Sequence, residues 1–511
     1  MNKRLKIIAT GGIALLCLCQ LPVQAIVLDR LLNDTNTPVN VRASQPQTAA
    51  DKALNGEAQP NVLLILADDL GIMDTQVYGA HQYATPNINT LANAGVRFSQ
   101  AYTNAGNCAP SRASLMTGLT PAEHGILTVG SSARGKPALM KLTPPKNRTE
   151  LDPAIPTLAD LFKLRGYHTA IIGKWHLGEQ PLTAYGFDEA LAASGLGHAP
   201  SHFFPYGADK RALPGLEQPK QQDEYLADRL TAEAISYMQQ QQSPFFLYLP
   251  FYAVHTPIEA SENDIRPHLP AMQAGKIKNA TYAAMVSNLD TNVGKLLSAL
   301  QTMGKADNTL VIFASDNGGF EPVTSSLPYR GAKSTLFEGG IRTPLLMRWP
   351  GVIPPDTQNQ TPVQLSELFA TVSHLLGLEQ TQDNLLTLAV RQQQKSDKTL
   401  FWHAPVYMTQ NAAINSDPAY SYWKHTPASA IRDGHYKLIH NDETDTNLLF
   451  DLHADPGEQQ DIAASRSDIE RQLYQKLRAW QRMVNAPMAD QANPAYHPTS
   501  PAPQQVYQSL P

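Results

Sequence analysis

Residues 61–69 read NVLLILADD, a continuous apolar run that ends in two aspartates. Runs of this length that are rich in Val, Ile and Leu are typical of strands buried on both faces, as in a parallel sheet covered by helices. The stretch therefore predicts a central strand that presents Asp68 and Asp69 at its carboxyl end.

Three further segments share this design, because each is a short apolar run that ends in polar residues: YHTAIIGKWH (167–176), SPFFLYLPFYAVHTP (243–257) and NTLVIFASDNGG (308–319). Helical patterns lie between them, at 155–164, 224–240 and 282–303. Strands that alternate with helices predict an α/β sandwich. Ligands of such sheets bind beyond the carboxyl ends of the strands. We therefore expect the polar endings to gather on one rim: Asp68-Asp69, Lys174 and His176, His255, and Asp316-Asn317.

The pattern changes after about residue 380. Short antiparallel strands are indicated at TLFWHAP (399–405), SAIRDGHYKLIHN (429–441) and NLLFDLHADPGE (447–458), followed by a helix at 467–484. This order predicts a smaller α+β domain behind the large one. The predicted organisation along the chain is a signal peptide (1–25), a linker or arm (26–58), a large domain (59–380), the α+β domain (381–488) and an extended tail (489–511).

The amino-terminal residues MNKRLKIIATGGIALLCLCQLPVQA combine three basic residues, an apolar run and a small-residue ending. This layout predicts a secretory signal peptide cleaved after Ala25, and hence a periplasmic or secreted protein. A retained membrane anchor, or a lipid attached at Cys17 or Cys19, is the alternative.

Composition narrows the class of protein. Removing residues 1–25 deletes three positive charges and changes the formal charge from −5 to −8, and no basic run follows, so a nucleic-acid partner is not expected. No later run of about 18 apolar residues occurs, so no stable membrane insertion is expected. With 42% hydrophobic and 17% charged residues, the chain has the composition of a compact enzyme.

Cys108 is the one cysteine that remains after the signal segment, so it has no partner for an intramolecular disulfide. It lies in GNCAPSRASLMTG (106–118), where proline and serine predict a helix that begins at Pro110 or Ser111. The helix dipole would then lower the pKa of the thiol. Two interpretations remain open, a reactive nucleophile with His176 as its base and a buried structural thiol.

Asp68, Asp69, Asp316 and Asn317 supply three carboxylates and an amide oxygen at two strand ends. Such hard donors suit Ca²⁺ or Mg²⁺, whereas zinc prefers histidine and thiolate. Ordinary capped strand ends are the alternative, since Asp and Asn are common in turns. Two such pairs after long apolar strands favour the metal site.

Four cationic or titratable residues are candidates for charge stabilisation and proton transfer. Lys174 and His176 lie in GKWHLG, and His255 lies in AVHTP. Lys333, in YRGAKSTLFEGGIRTP (329–344), is either part of a surface loop or an anion-contacting neighbour of Asp316-Asn317. Other histidines are expected to be structural: His81, His124, His198, His202, His374 and His403.

The order CAPSRASLMTG (108–118) resembles the signature C-x-P-S-R-x-x-L-x-T-G of type I, formylglycine-dependent sulfatases, members of the alkaline-phosphatase-like superfamily. ILADDLG, GKWHLG, the H-x-P at His255, SDNGG, RGAKSTLFEGGIRTP and FDLHADPGE also resemble family blocks in family order, over roughly residues 58–465. The resemblance implies an α/β fold with a large mixed, mostly parallel sheet sandwiched by helices, and a smaller C-terminal α+β domain of antiparallel strands and a helix.

The resemblance also implies cofactors and residue roles. A maturation enzyme would oxidise Cys108 to formylglycine, and an oxygen of that residue would join the Ca²⁺ ligands Asp68, Asp69, Asp316 and Asn317. By the same resemblance Arg112 and Lys174 hold the formylglycine hydrate, His176 later removes a hydrate proton, and His255 and Lys333 contact the sulfate and assist the leaving oxygen. A further sulfate contact has no clear match, and Ser201-His202 is the candidate.

The implied reaction is attack of a hydrate hydroxyl on sulfur, with Asp316 as proton acceptor and release of inorganic sulfate after His176 triggers collapse to the aldehyde. The chain is therefore predicted to be an exported sulfatase that acts on a sulfated polysaccharide or oligosaccharide. The alternatives are an arylsulfatase, a phosphate or phosphonate monoester hydrolase of the same superfamily, a non-catalytic glycan-binding relative, and an enzyme that uses the unmodified thiol.

Overall fold

The computed structural model describes residues 47–207, 212–379, 381, 383–409 and 423–497. The predicted signal peptide, most of the predicted arm and residues 498–511 of the predicted tail lie outside the described residues. Among the described helices, none has the length and apolar character needed to span a bilayer.

The strands lie in two groups along the chain. Those of the amino-terminal two-thirds are β1 Asn61–Ala67, β2 Val96–Phe98, β3 Ala101–Tyr102, β4 Leu142–Thr143, β5 His168–Ile172, β6 Glu189–Leu191, β7 Phe245–Pro250, β8 Thr309–Ser315, β9 Leu345–Arg348, β10 Thr357–Asn359 and β11 Val363–Gln364. The remaining strands are β12 Thr399–Ala404, β13 Met408–Thr409, β14 Trp423–His425, β15 Ala428–Asp433, β16 Tyr436–Asn441, β17 Thr446–Asp451 and β18 Gln491–Ala492.

The described α-helices alternate with the strands of the first group and close the second. They are α1 Ala49–Leu54, α2 Pro86–Asn93, α3 Cys108–Thr117, α4 Pro121–His124, α5 Leu158–Leu164, α6 Leu226–Gln240, α7 Glu262–Ile265, α8 Leu269–Gln273, α9 Ala280–Thr302, α10 Glu338–Ile341, α11 Glu367–Leu375, α12 Leu385–Val390 and α13 Ser467–Met483.

Within the described chain, eight strands form one mixed sheet in the order β10-β2-β9-β8-β1-β7-β5-β6. Every pair from β8 to β6 is parallel, whereas β9 runs antiparallel to both of its neighbours. The large, mostly parallel sheet is therefore confirmed. The four strands expected to carry polar endings, β8, β1, β7 and β5, are neighbours at its centre.

Strand β1 shows why its apolar run is continuous. Val62, Leu64 and Leu66 pack into one core with α3, α5 and α11, while Leu63, Ile65 and Ala67 pack into a second core with α6 and α9 on the other face. Each fully buried aliphatic side chain stabilises the fold by about 1.5–3 kcal/mol. Helices thus cover both faces of the sheet, as predicted.

The carboxy-terminal part forms an antiparallel sheet in the order β12-β15-β16-β17. Helix α13 covers one face of it, where Leu473, Leu477 and Trp480 pack against residues of β15, β16 and β17. The predicted α+β architecture is confirmed. The division of the chain at residues 380 and 381 stays a prediction.

Two segments outside these sheets are more ordered than the sequence indicated. Helix α1 lies within the predicted arm, and its Ala53 is buried in the same core as Val372 and Leu375 of α11. Strand β18, within the predicted tail, pairs antiparallel with β4. The bounds of the arm and of the tail stay predictions.

Candidate active site

Polar residues follow the four central strands and meet at one end of the sheet. Asp68 and Asp69 follow β1, and ligand atoms of both lie within 4.8 Å of those offered by Cys108 and His255. The backbone continues the sheet pairing past the strand ends, because the Asp68 N–H donates to the Ala253 carbonyl at 3.0 Å. The structure thus brings together residues that are far apart in the chain.

Three buried carboxylates each receive a hydrogen bond from a cationic side chain. Lys174 Nζ lies 2.6 Å from Asp68 Oδ2, and Lys333 Nζ lies 2.7 Å from Asp69 Oδ2. Arg112 Nε donates to Asp316 Oδ2 at 2.8 Å, and its Nη1 donates to the Lys174 carbonyl. Buried ions are stable only when they are paired in this way.

The charges shift the pKa values of these carboxyl groups in different directions. Burial alone would raise the pKa of Asp68, but the charges of Lys174 and Arg112 hold it well below its usual range. Burial and the neighbouring Asp68 instead raise the pKa of Asp316 to about 7, against the opposing charge of Arg112. Near neutral pH, Asp316 is therefore able to take up a proton.

The donor set fits a hard divalent cation. Asn317 Nδ2 donates to Asp69 Oδ1 at 2.8 Å, while the buried Asn317 Oδ1 has no hydrogen-bond partner among the described residues. A buried amide oxygen without a partner is costly unless something binds it. With the carboxylates of Asp68, Asp69 and Asp316 it forms the kind of oxygen-rich site that Ca²⁺ takes.

Cys108 lies against the two aspartates of β1. Its Sγ is 3.6 Å from Asp68 Oδ1 and 3.8 Å from Asp69 Oδ1, and the side chain is buried. Burial raises the pKa of the thiol to about 12, although Lys174 and Lys333 act against this. The expected lowering of the Cys108 pKa by the helix terminus is therefore wrong, because desolvation outweighs the helix dipole.

The helix of this segment begins at Cys108 rather than at Pro110 or Ser111. Asn107 is its N-cap residue, and Pro110 occupies the first turn, where a missing N–H costs nothing. The Ser111 hydroxyl bonds to Thr103 and not to the helix terminus. The early start points the Arg112 side chain into the carboxylate cluster.

His255 follows β7 and directs one ring nitrogen toward the carboxylates. Its Nδ1 lies 2.8 Å from the Thr256 carbonyl and therefore carries the proton, while Nε2 lies 3.6 Å from Asp69 Oδ2. Burial, together with the charge of Lys333, lowers the pKa of His255 to about 4. The ring is thus neutral in this arrangement.

His176 lies at the end of the segment after β5, in a left-handed backbone conformation with φ +63°. Its backbone N–H donates to the Ser194 carbonyl at 2.9 Å, and its buried ring nitrogen Nδ1 has no hydrogen-bond partner among the described residues. Burial and the charge of Lys174 lower the pKa of His176 well below its usual value. The side chain is therefore a neutral imidazole with a vacant acceptor or donor position.

Lys333 is not on a surface loop but is held against the strand ends. Its backbone N–H donates to the Gly319 carbonyl at 3.0 Å, two residues after Asn317. Gly106 lies so close to this loop that an added Cβ would stand 2.5 Å from the Thr335 carbonyl oxygen. Small residues thus allow the Lys333 loop and the Cys108 segment to pack together.

Ser201 and His202 support the His255 segment in the structure. His202 Nε2 bonds to the His255 carbonyl at 3.0 Å, and the Ser201 hydroxyl donates to Glu259 at 2.9 Å. A contact of either residue with sulfate stays a prediction.

Asp74 is a further buried carboxylate beside the site, and no sequence pattern singles it out. It accepts hydrogen bonds from the Gly71 N–H at 2.8 Å, from the Tyr282 hydroxyl at 2.6 Å and from the Thr324 hydroxyl. Asp74 thereby fixes the turn after Asp68-Asp69 against α9. It ends a single turn of 3-10 helix, Ile72–Asp74, which is too short for any periodicity to distinguish it from an exposed turn residue.

The fold and the site define a hydrolase of anionic esters, and comparison with known proteins gives the family. Residues 60–378 match the family described as Sulfatase, and residues 332–483 match the family described as N-sulphoglucosamine sulphohydrolase, C-terminal. The chain belongs to the sulfatase family and is a sulfuric ester hydrolase.

Individual relatives agree with this assignment. A sulfatase from Formosa agariphila is 31% identical to this chain, over 84% of this chain and 90% of the relative. N-acetylgalactosamine-6-sulfatase from Homo sapiens is 32% identical, over 81% of this chain and 83% of the relative. The crystal structure of Ps i-CgsB in complex with k-i-k-neocarrahexaose has a TM-score of 0.65 and 27% identity, and covers 86% of this chain and 95% of that chain.

Proposed function

We propose that this sulfatase is exported and removes a sulfate ester from a sulfated oligosaccharide or polysaccharide. The observation that carries the proposal is the convergence of Arg112, Lys174 and Lys333 on the buried cluster around Cys108. Three cations at one point suit an anionic ester whose charge grows on non-bridging oxygens during cleavage. The sugar substrates are supported by the human relative, an N-acetylgalactosamine-6-sulfatase, and by the neocarrahexaose bound to Ps i-CgsB.

Two groups complete the proposed site. Asp68, Asp69, Asp316 and Asn317 would hold Ca²⁺, together with the side chain at position 108, and the ion would supply Lewis-acid stabilisation of sulfate charge. Formylglycine, made from Cys108 by a maturation enzyme, would supply a hydrated aldehyde as nucleophile. The buried thiol supports this proposal, because its raised pKa makes the unmodified cysteine a poor nucleophile at neutral pH.

Cationic residues of this chain would orient the nucleophile and bind the sulfate. Arg112 and Lys174 would orient the side chain at position 108, and Lys333 would bind a sulfate oxygen. These side chains are already held in place by hydrogen bonds, so little reorganisation is needed when the substrate binds.

Proton transfer would use the groups whose pKa values are shifted. Asp316, which accepts hydrogen bonds from the Asp69 backbone N–H and from Arg112, is the proton acceptor on the nucleophile side. His255 Nε2 faces the cluster, and a bound sulfate would favour its protonated form for donation to the leaving oxygen. His176, with a free ring nitrogen, is the base that acts in the release step.

The test is to express the full chain with a formylglycine-generating enzyme, to recover it from the periplasm or medium, and to measure the mass of the Cys108 peptide. Inorganic sulfate and phosphate are then measured with an aryl sulfate, a phosphate monoester and a panel of sulfated glycans. We expect the aldehyde at position 108 and sulfate release from at least one glycan.

The Cys108→Ala variant is the matched control, and it should fold and release no sulfate. An intact thiol in fully active protein would overturn the formylglycine mechanism. Activity on the aryl sulfate with none on any glycan would overturn the substrate class, and retention of residues 1–25 in the recovered protein would overturn cleavage after Ala25.

A further inference from the structure

A small strand pair of the carboxy-terminal part lies directly beside the Cys108 helix. Met408 of β13 contacts Asn107, the residue before Cys108, with its sulfur 3.6 Å from Asn107 Nδ2. The same sulfur lies 3.7 Å from the Thr128 hydroxyl. Strand β14 pairs antiparallel with β13 and joins Met408 to His425. Residues of β14 are thus positioned at the edge of the candidate active site.

Lys424 of β14 points toward the active-site side of this strand pair. Its neighbours Trp423 and His425 are buried, since the Trp423 ring packs on Tyr407 at 4.9 Å and His425 Nε2 bonds to the Ala404 carbonyl at 2.9 Å. Lys424 lies at a register shift of this strand pair, because Met408 pairs with His425 while Thr409 pairs with Trp423. Its Nζ lies 5.9 Å from the centre of the Phe320 ring.

Phe320 connects Lys424 to the catalytic lysine. It directly follows Gly319, whose carbonyl accepts the Lys333 N–H at 3.0 Å. The Lys424 ammonium therefore stands over the same loop that fixes Lys333. An ammonium over an aromatic face is attracted to the ring, which keeps the side chain oriented without neutralising it.

Arg134 is fixed on the adjoining edge of the same strand pair. The backbone N–H of Arg134 donates to the Tyr407 carbonyl at 3.1 Å, and the backbone N–H of Tyr407 donates to the Ser132 carbonyl at 2.8 Å. Next to it, Gly135 packs so closely on Trp423 that an added Cβ would stand 2.7 Å from the indole. The backbone at Arg134 is thus anchored, while its guanidinium is exposed.

Lys424 and Arg134 differ from the lysines at the candidate active site because no carboxylate is paired with them among the described residues. Within the described residues, neither the Lys424 ammonium nor the Arg134 guanidinium forms a hydrogen bond or ion pair, whereas Lys333 is paired with Asp69. Burial lowers the pKa of Lys424 to about 8, Glu321 opposes this, and Lys333 adds to the lowering. A cation in such a position is stabilised by an anion that binds next to it.

We propose that Lys424 and Arg134 form a second anion subsite, which binds a further sulfate or a uronate carboxylate on the same glycan whose reacting sulfate lies at Cys108. The proposal rests on the proposed glycan substrate and makes it more specific. A substrate with two neighbouring anionic groups would bind to both sites at once. The subsite would therefore select multiply charged glycans over singly sulfated ones, through KM rather than kcat.

The test compares substrates with one and with two anionic groups. Lys424→Met and Arg134→Met keep most of the side-chain volume and remove the positive charge, whereas Lys424→Arg keeps a positive charge at position 424. Lys52→Met is the matched control, because it removes one positive charge from the exposed face of α1. Sulfate release is measured on an aryl sulfate, a disulfated disaccharide and a sulfated disaccharide with a uronate. Folding of each variant is checked by its unfolding temperature.

For either charge-removing variant, we expect KM for a doubly anionic disaccharide to rise about tenfold more than KM for the aryl sulfate, since a charge-assisted hydrogen bond contributes about one decade in affinity. Lys424→Arg should recover most of this, and the selectivity should weaken at high salt. A shift confined to one disaccharide identifies the preferred anion as sulfate or carboxylate.

An equal rise in KM for all substrates, or no change in KM for any of them, would overturn the proposed subsite. These outcomes are separate from failure of the proposed function. Wild-type protein that desulfates glycans while the variants show no selectivity change contradicts the subsite alone. Wild-type protein that cleaves the aryl sulfate and no glycan contradicts both.

Discussion

The ammonium of Lys437 lies 3.0 Å from a carboxylate oxygen of Glu338, and both side chains are fully buried. Lys437 belongs to β16 of the carboxy-terminal sheet, whereas Glu338 begins α10, five residues after Lys333. Glu458 completes the cluster, 2.9 Å from the same ammonium, and its other oxygen accepts the Glu338 N–H. The carboxy-terminal sheet thus holds the segment that carries Lys333, the lysine proposed to bind a sulfate oxygen.

This cluster predicts unequal effects of removing its members. Burial raises the pKa of Glu458 to about 7, while the charges of Lys437 and Arg342 outweigh burial and keep the pKa of Glu338 low, so Glu338 carries the full negative charge. Lys437→Met removes the one fully buried cation of this cluster and leaves Arg342, 3.3 Å away, as the ion-pair partner of Glu338, and it should cost about 3 kcal/mol of unfolding free energy. Glu458→Gln should cost much less below pH 7, because the protonated form is already populated. Denaturant unfolding of both variants at pH 6 measures the difference, and equal losses would contradict this account.

Gly173 predicts a second structural requirement of the site. It lies between β5 and Lys174 with φ +125°, and an added Cβ would stand 2.0 Å from the Pro250 carbonyl oxygen. Gly173→Ala must displace either β7 or the Lys174 segment. We expect a loss of at least about 3 kcal/mol in stability and of most sulfate release.

Gly166, near the start of the same strand, is the matched control. It also has a positive φ, of +76°, but an added Cβ would meet nothing within 4 Å. Gly166→Ala should therefore show only the backbone penalty of about 1 kcal/mol and normal activity. Similar effects of the two substitutions would show that the close approach to Pro250 is unimportant.

Much of the fold follows from local patterns. The run NVLLILADD predicts a strand buried on both faces, and the structure confirms this for Val62 to Ala67. Strands of this kind are parallel neighbours, so the polar residues after them come together. Asp68, Lys174, His255 and Asp316 could therefore be proposed as neighbours before their distances were known.

The remaining features depend on contacts that no local pattern encodes. The raised pKa of the Cys108 thiol does not follow from the sequence, because a helix terminus is visible there while desolvation by distant segments is not. Lys437, Arg134 and Lys424 acquire their surroundings from segments remote in the chain. In the sequence, none of the three differs from an ordinary surface cation.

Calcium should stabilise the folded chain if the carboxylate cluster binds it. A ligand at 100 times its Kd adds about 2.7 kcal/mol to the unfolding free energy, so EGTA should lower the unfolding temperature by a few degrees and added Ca²⁺ should restore it. Asp69→Asn, which removes one ligand charge, should weaken this response. An unfolding temperature that is identical in EGTA and in excess Ca²⁺ would contradict the proposed ion.

Buried histidines of the carboxy-terminal part predict how stability changes with pH. His403 Nε2 lies 2.9 Å from the Pro487 carbonyl, and Nδ1 lies 2.8 Å from the Ser429 hydroxyl, so the ring is held neutral. Burial lowers its pKa from 6.5 to about 4. Between these values the unfolded chain binds a proton that the folded chain does not, and stability is therefore lost as the pH falls from 6.5 toward 4.

The expected loss is about 1.4 kcal/mol per pH unit for one such histidine. His425, whose pKa is also lowered to about 4 by burial, adds to the slope. His403→Gln can keep both hydrogen bonds without titrating, so its unfolding free energy should fall less steeply with acid than that of the wild type. Urea unfolding at pH 7, 6 and 5 measures the two slopes. Parallel slopes would mean that His403 is already protonated in the folded protein, or that its ring leaves this site before the chain unfolds.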